Sequence, residues 1–351
     1  MIMSKILNTH IYQEIFEQPV ILKELTKHNL RSLGKIKNAI ESHEIHHIVI
    51  AARGTSDNAG RYAKYLFGAH NQMVVSLATP SLFTIYKTPP NLEHALVLGI
   101  SQSGQSPDIN EVIDTSRKQG AITVAICNDT ESRLANSAEF LLDIHAGPEL
   151  STAATKTYTG QLGLIAMLSK ALVGEDATDQ LETTAAAVEK ALSLEPVISD
   201  LAEKLWSIRH LAVIGRGYNY STAFEIALKI KELTYTMAAP YSSADFIHGP
   251  LALIEPGFPV ILVAPAGELS SQFLDFISTM EDLGARLIVI SDQDELLSRA
   301  EFPIQLQTSV PEWLSPIVSV IPGQLLALYL ASLRGIHPDT PRTINKVTKT
   351  I

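Results

Sequence analysis

Ala95-Leu96-Val97-Leu98-Gly99-Ile100-Ser101-Gln102-Ser103-Gly104-Gln105-Ser106-Pro107-Asp108 is the stretch from which the chain can be read. Its first half is a short continuous apolar run. A segment of helical period, Asn110 to Lys118, follows its second half. Apolar runs without polar alternation mark strands covered on both faces. Ser101, Ser103 and Ser106 therefore bring their hydroxyls, with several backbone N–H groups, to a helix N-terminus at the carboxyl end of a strand. Free N–H groups and the positive end of the helix dipole favour an anion there. A capped turn needs one hydroxyl, and this turn has three, so it reads as a phosphate site.

The same plan extends outward. Ile48 to Ala52, closed by Arg53-Gly54, and Ile122 to Cys127 are further apolar runs, with helical-period segments between them. Upstream, Ile11, Phe16, Val20, Ile21, Leu25, Leu30, Leu33 and Ile36 recur at helical spacing. The plan then repeats. Ile45–Gly54 resembles Ile208–Gly217, and Lys118–Ile126 resembles Asp282–Ile290, at nearly the same offset. The expectation is an α/β chain of two tandem parallel-sheet domains with helices on both faces. The expected divisions are a helical segment over 1–44, domains over 45–195 and 196–334, and a tail over 335–351. The join falls in the helical stretch Val173–Pro196.

Composition agrees with that plan. The 351 residues are 46% hydrophobic and 18% charged, enough to bury two cores and too apolar for disorder. With 27 Lys plus Arg against 37 Asp plus Glu, the net charge is −10, and no basic block is present, which disfavours nucleic acid as a partner. The lone cysteine, Cys127, excludes a disulfide scaffold. No uninterrupted apolar run is long enough for a membrane span, and the start lacks the features of a secretory signal. A cytoplasmic location is expected.

In the second copy, the turn equivalent to 101–106 is Pro265-Ala266-Gly267-Glu268, without the hydroxyls and with a carboxylate. Phosphate is thus expected in the first half alone. Thr55 and Ser56 add hydroxyls beside the phosphate turn, where a simple helix cap is an equal reading. There is no GxxxxGK[ST] and no GxGxxG, which disfavours nucleotide or NAD chemistry, and no cofactor is expected. His43-Glu44-Ile45-His46-His47 matches HExxH, but that zinc motif needs one continuous helix, and His47 immediately precedes a strand; no metal is expected. Glu225, Lys229 and Glu232 share one helical face at i, i+4 and i+7. An exposed ion pair and an acid–base cluster are both open on that spacing. His248, held in a turn before Gly249-Pro250, is either structural or catalytic.

These residues together resemble the sugar isomerase (SIS) domain family. Within it they are most similar to the isomerase domain of glucosamine-6-phosphate synthase and to stand-alone SIS-type glucosamine-6-phosphate deaminases. The motifs are Arg53-Gly54-Thr55-Ser56, Ser101 to Ser106, Ala153-Ala154-Thr155-Lys156, Ala227 to Glu232, His248 to Ile254 and Pro341 to Lys346. The resemblance covers nearly all of the chain from about residue 45. It implies two SIS domains of flavodoxin-like topology in a homodimer with shared active sites. It implies that Ser101, Gln102, Ser103 and Ser106 hold a sugar phosphate and that Thr55 contacts the sugar. Ser56 and Thr155, in the matching motifs, join the substrate-binding set. Glu232 matches the base that moves a proton between C1 and C2. His248 matches the ring-opening residue, supplied by the neighbouring subunit. Lys346 matches a lysine able to form a Schiff base with the ketose, and Lys229 a further active-site lysine.

Ala154 departs from the family serine, which bears on the choice of sugar. The synthase's glutaminase domain and its cysteine nucleophile have no counterpart in this sequence. The expected reaction is therefore conversion of glucosamine 6-phosphate to fructose 6-phosphate and ammonia. A fructosamine-6-phosphate deglycase, an ammonia-dependent synthase-like isomerase and a non-catalytic sugar-phosphate sensor are the alternatives.

Overall fold

The computed structural model describes residues 6–45 and 47–346. They fall into two compact units, one within Glu17–Glu182 and Thr343–Ile351, the other within Met1–Phe16 and Thr183–Arg342. A long first helix, α1 (His10–Glu41), carries Pro19 inside it. Then come β1 (His47–Ala51), α2 (Thr55–Asn71), β2 (Val74–Leu77), α3 (Pro80–Thr84), β3 (Ala95–Ser101), α4 (Pro107–Lys118), β4 (Ile122–Cys127), α5 (Arg133–Ser137), β5 (Phe140–Asp143), α6 (Lys156–Leu172) and α7 (Thr178–Leu192). The remainder is α8 (Glu195–Leu205), β6 (His210–Gly215), α9 (Tyr220–Thr234), β7 (Met237–Ser242), α10 (Ser243–Phe246), β8 (Pro259–Val263), α11 (Ser270–Asp282), β9 (Arg286–Ser291), α12 (Asp294–Leu297), β10 (Phe302–Gln305) and α13 (Ser315–Leu333).

The first sheet runs β2-β1-β3-β4-β5 and is parallel throughout. The second runs β10-β9-β8-β6-β7, also parallel, and is the same order counted from β6. This is the doubly wound 2-1-3-4-5 order, whose ligands sit beyond the carboxyl ends of the strands. The duplication read from the sequence is thus a duplication of topology.

The central strands β3, β4 and β8 are buried along their whole length because both their faces are covered. Val49, Ala51, Ala95, Val97 and Ala125 pack with Ile109, Val112 and Ile113 of α4 on one face of the first sheet. Their neighbours Ile48, Ile50, Leu96 and Leu98 point the other way and are equally buried. In the second sheet Ala212, Ile214, Val260, Leu262, Leu287 and Val289 pack with Phe273, Phe276, Ile277 and Met280 of α11. On that unit's other side α13 lies close to α9: a Cβ on Gly323 would stand 2.3 Å from Ile226 Cγ1. The chain from Glu312 to Leu333 is long and apolar enough to cross a membrane by length and composition, but its most apolar window is wholly buried, which makes it a core helix.

Candidate active site

The turn between β3 and α4 brings together one buried hydroxyl, that of Ser101, and two half-buried ones, those of Ser103 and Ser106. Ser101 Oγ accepts the N–H of Gly104 at 3.1 Å, and Ser103 Oγ accepts that of Gln105 at 3.4 Å. A hydroxyl that accepts still has its own proton to donate. Ser106 stands at the N-cap of α4, yet its side chain makes no capping hydrogen bond. Its hydroxyl is therefore not consumed by the helix. Pro107 fills N1, where a missing N–H costs nothing. The helix begins at Pro107, three residues earlier than the sequence reading had it, for that reason. Gly104 makes the turn possible: its φ is +61°, and a Cβ there would lie 2.1 Å from Ser132 Oγ. Gln102 is tied through its carbonyl, which accepts the N–H of Asn128 at 3.2 Å.

The adjacent turn follows β1, which pairs directly with β3. Thr55 opens α2 behind Gly54, whose φ is +55°. Ser56 is buried and accepts a hydrogen bond from Gln161 Nε2 at 3.0 Å, so its hydroxyl is engaged by the protein itself. Arg53 Nε donates to Asp108 Oδ2 at 2.8 Å.

A third group gathers at the start of α6. Glu149, with no side-chain exposure, accepts the N–H of Thr155 at 3.0 Å and of Thr157 at 3.1 Å, and the Thr157 hydroxyl. It thereby caps the helix with a carboxylate at the favourable end of the dipole. Lys346 Nζ donates to the same carboxylate at 2.7 Å. Thr155 Oγ1 is buried and among the described residues has no hydrogen-bond partner. Glu149 was missed by sequence reasoning. Its signal was a lone acidic residue shortly before the hydroxyl-rich helix start at Thr155, and its link to Lys346 spans most of the chain.

In the other unit, α9 carries the Glu225, Lys229 and Glu232 cluster. Lys229 Nζ lies 2.7 Å from Glu232 Oε2 and 3.4 Å from Glu225 Oε1. Lys229 and Glu225 are buried, while Glu232 keeps 24% of its side chain exposed. The exposed-stripe reading of this face is thereby removed. Burial pushes the Lys229 ammonium toward neutrality, but the two carboxylates outweigh it and hold its pKa above the ordinary lysine value. Lys229 is thus a fixed cation, and Glu232 is the cluster's member open to solvent. His248 is exposed, in a turn where its N–H bonds to the Asp245 carbonyl at 3.2 Å.

The second unit's counterpart of the 101–106 turn is closed from within. The N–H of Glu268 donates to Glu312 Oε2 at 2.9 Å, that of Ala266 to Asp292 Oδ1 at 2.7 Å, and that of Gly267 to Ser270 Oγ at 3.1 Å. Two of the protein's own carboxylates occupy the donors an external anion would need. The HExxH match fails in geometry, because α1 ends at Glu41 and His47 opens β1, so His43 and His47 share no helix. His46 lies outside the described residues. Cys127 is buried, and burial pushes its thiol up to about 11.

The sequence profile of the SIS domain family matches residues 43–171 and 204–334. The glutamine–fructose-6-phosphate aminotransferase (isomerizing) of Thermococcus kodakarensis is 36% identical over 344 residues. That match takes in 95% of this chain and 57% of the relative, so the chain spans little more than half the length of such relatives. Among solved structures, the C-terminal domain of glucosamine-fructose-6-phosphate aminotransferase from Francisella tularensis superposes with a TM-score of 0.85 at 30% identity, covering 95% of this chain and 98% of that one. Glucosamine-6-phosphate deaminase from Thermotoga maritima gives 0.79 at 22% identity, covering 97% and 100%, and shares the fold.

Proposed function

The chain belongs to the SIS domain family, and from that premise we propose that it is a phosphosugar aldose–ketose isomerase whose substrate is an amino sugar. Glucosamine 6-phosphate is converted to fructose 6-phosphate and ammonia. The observation that carries this reading is the contrast between the two equivalent turns. One gathers three serine hydroxyls, with Ser106 at the N-cap making no capping bond, and the other is sealed by Glu312 and Asp292. That contrast supports placing the dianion in the first turn.

In this reading Ser101, Gln102, Ser103 and Ser106 hold the phosphate, with Thr55, Ser56 and Thr155 completing the sugar's surroundings. Binding energy from the remote phosphate holds the reacting carbons in register with the protein's acid–base groups. His248 opens the ring; its exposure, between the exposed Ile247 and Leu253, suits a side chain offered to a second copy of the chain. Glu232 removes the proton from C2 of the open aldehyde and returns it to C1. The enolamine so formed becomes the C2 imine of the ketose, and water then releases ammonia and leaves fructose 6-phosphate. Lys229, held cationic, offsets the charge that develops on the enolamine oxygen as the proton leaves C2. Lys346, oriented by Glu149, serves the ketose carbonyl. A reaction of this kind belongs to the cytoplasm, where its phosphorylated substrates are retained.

The test is one coupled assay on purified protein given glucosamine 6-phosphate, reading ammonia and fructose 6-phosphate together. Equal amounts of both products are expected, with Glu232→Gln inactive but still able to bind the sugar phosphate. Turnover of fructosyl-lysine 6-phosphate with none of glucosamine 6-phosphate would replace the deaminase reading by a deglycase. Full activity of Glu232→Gln would remove the carboxylate from the chemistry.

A further inference from the structure

We propose that Arg53 is a phosphate-binding residue of the 101–106 turn, its guanidinium presented by the buried carboxylate of Asp108. The proposal rests on the phosphate reading of that turn and adds to it a residue that the hydroxyl pattern does not reveal.

Arg53 stands where the two hydroxyl-bearing turns meet. β1 and β3 are paired in parallel up to Ala51 opposite Gly99. Two residues further along each exit lie Arg53 and Ser101. The Arg53 carbonyl accepts the N–H groups of Ser56 at 3.1 Å and Asp57 at 3.3 Å, which roots it in the Thr55-Ser56 turn. Its side chain reaches the other turn, donating from Nε to Asp108 in the first turn of α4 at 2.8 Å. The neighbouring Asp57 is paired with Arg61 at 3.1 Å and is also within electrostatic reach of Arg53, whose hydrogen-bonded carboxylate is Asp108.

The two partners differ sharply in exposure. Asp108 has no exposed side-chain surface, whereas half of the Arg53 side chain is exposed. Among the described residues, Nε is the guanidinium nitrogen with a hydrogen-bond partner. The terminal Nη groups keep the planar fork that fits a phosphate. Charge balance points the same way. A buried carboxylate at the start of α4 repels an incoming dianion, and a fully buried charge needs a partner. Arg53 cancels that repulsion and still has donors to spend on the ligand.

The competing role, that Arg53 merely neutralises Asp108, predicts an opposite result in one variant. Glucitol 6-phosphate, which cannot enolise, is titrated calorimetrically into the full chain at fixed ionic strength, with glucitol as the neutral control. In the double variant Arg53→Met/Asp108→Asn both charges are gone and no buried charge is left unpaired. If Arg53 grips the phosphate, the double variant binds glucitol 6-phosphate about 10–100-fold more weakly, the worth of a charge-assisted hydrogen bond. If it only balanced Asp108, affinity is unchanged or rises, and the proposal falls. Arg53→Lys keeps the charge opposite Asp108 and loses the fork. It is expected to bind several-fold more weakly, and unchanged affinity in it would also overturn the proposal, even if the double variant does not fold. Failure of the parent protein to prefer glucitol 6-phosphate over glucitol would instead defeat the phosphate reading of the turn itself.

Discussion

Lys229 lies within reach of two carboxylates on its own helix, and that fixes what it can do. Its pKa is raised in the folded state, so the stabilisation it brings is fully present below the unfolded lysine value and is lost only as the pH climbs through the folded one. Across the neutral range Lys229 should therefore add nothing to the pH dependence of stability. Removing the cation is another matter. Lys229→Met removes the cation 3.4 Å from Glu225, which has no exposed surface. A loss of about 3–5 kcal/mol is expected in urea unfolding, the usual cost of removing one partner of a buried ion pair. A change below about 1 kcal/mol would mean that water reaches Glu225. Cys127 shows the converse case. Burial raises its thiol pKa to about 11, so the fold favours the protonated form. Its contribution is intact below the unfolded value near 8.5 and fades as the pH rises toward 11. At pH 8 the native protein should not react with a disulfide reagent, whereas the guanidinium-unfolded chain should release one equivalent of chromophore. Prompt labelling of the native state would contradict the burial.

At the scale of elements, the strands were legible and the devices that finish the helices were not. Ala95–Ser101 and Ile122–Cys127 could be read because covering both faces of a strand leaves it continuously apolar. The start of α1 depends on Asp339, whose carboxylate accepts the N–H groups of His10 and Ile11, both at 2.9 Å. No local pattern announces a cap that arrives from the other end of the chain. Glu149 at α6 and Glu312 at the β8–α11 turn were hidden in the same way. The phosphate turn was legible in its hydroxyls, but its shape rests on a contact that sequence does not display, that of Gly104 against Ser132. Gly104→Ala would need a left-handed backbone and would push Ser132 off the N–H of Ala135, which it caps at 3.2 Å. We expect a loss of about 1–3 kcal/mol together with weaker binding of phosphorylated ligands. A variant that melts earlier yet binds glucitol 6-phosphate normally would separate the turn's stability from its function.

For the whole molecule, duplication supplied two sheets of one order, and later specialisation made them unequal. The first unit keeps hydroxyls at the exit of its third strand. The second satisfies the same N–H groups with its own Asp292 and Glu312 and carries instead the charged face of α9. The tail after α13 serves both units in turn. Asp339 caps α1, Arg342 lies 4.2 Å over the Tyr235 ring, and Lys346 reaches Glu149. These contacts come in an order that a deletion can exploit. Cutting after Asp339 retains the cap on α1 and sacrifices the Arg342–Tyr235 cation–π contact, worth about 0.5–1 kcal/mol, with the Arg342 N–H to the Tyr235 hydroxyl at 2.8 Å, worth about 1 kcal/mol more, so the fold should survive with a melting temperature only a few degrees lower. The same cut removes Lys346 and leaves the Glu149 carboxylate with its three α6 donors. Turnover of glucosamine 6-phosphate should then be lost while calorimetric binding of glucitol 6-phosphate is weakened far less, because the phosphate turn is untouched. If turnover survives the deletion, Lys346 has no part in the chemistry and Glu149 is a helix cap alone; if phosphate binding is lost with it, the tail shapes the anion site as well.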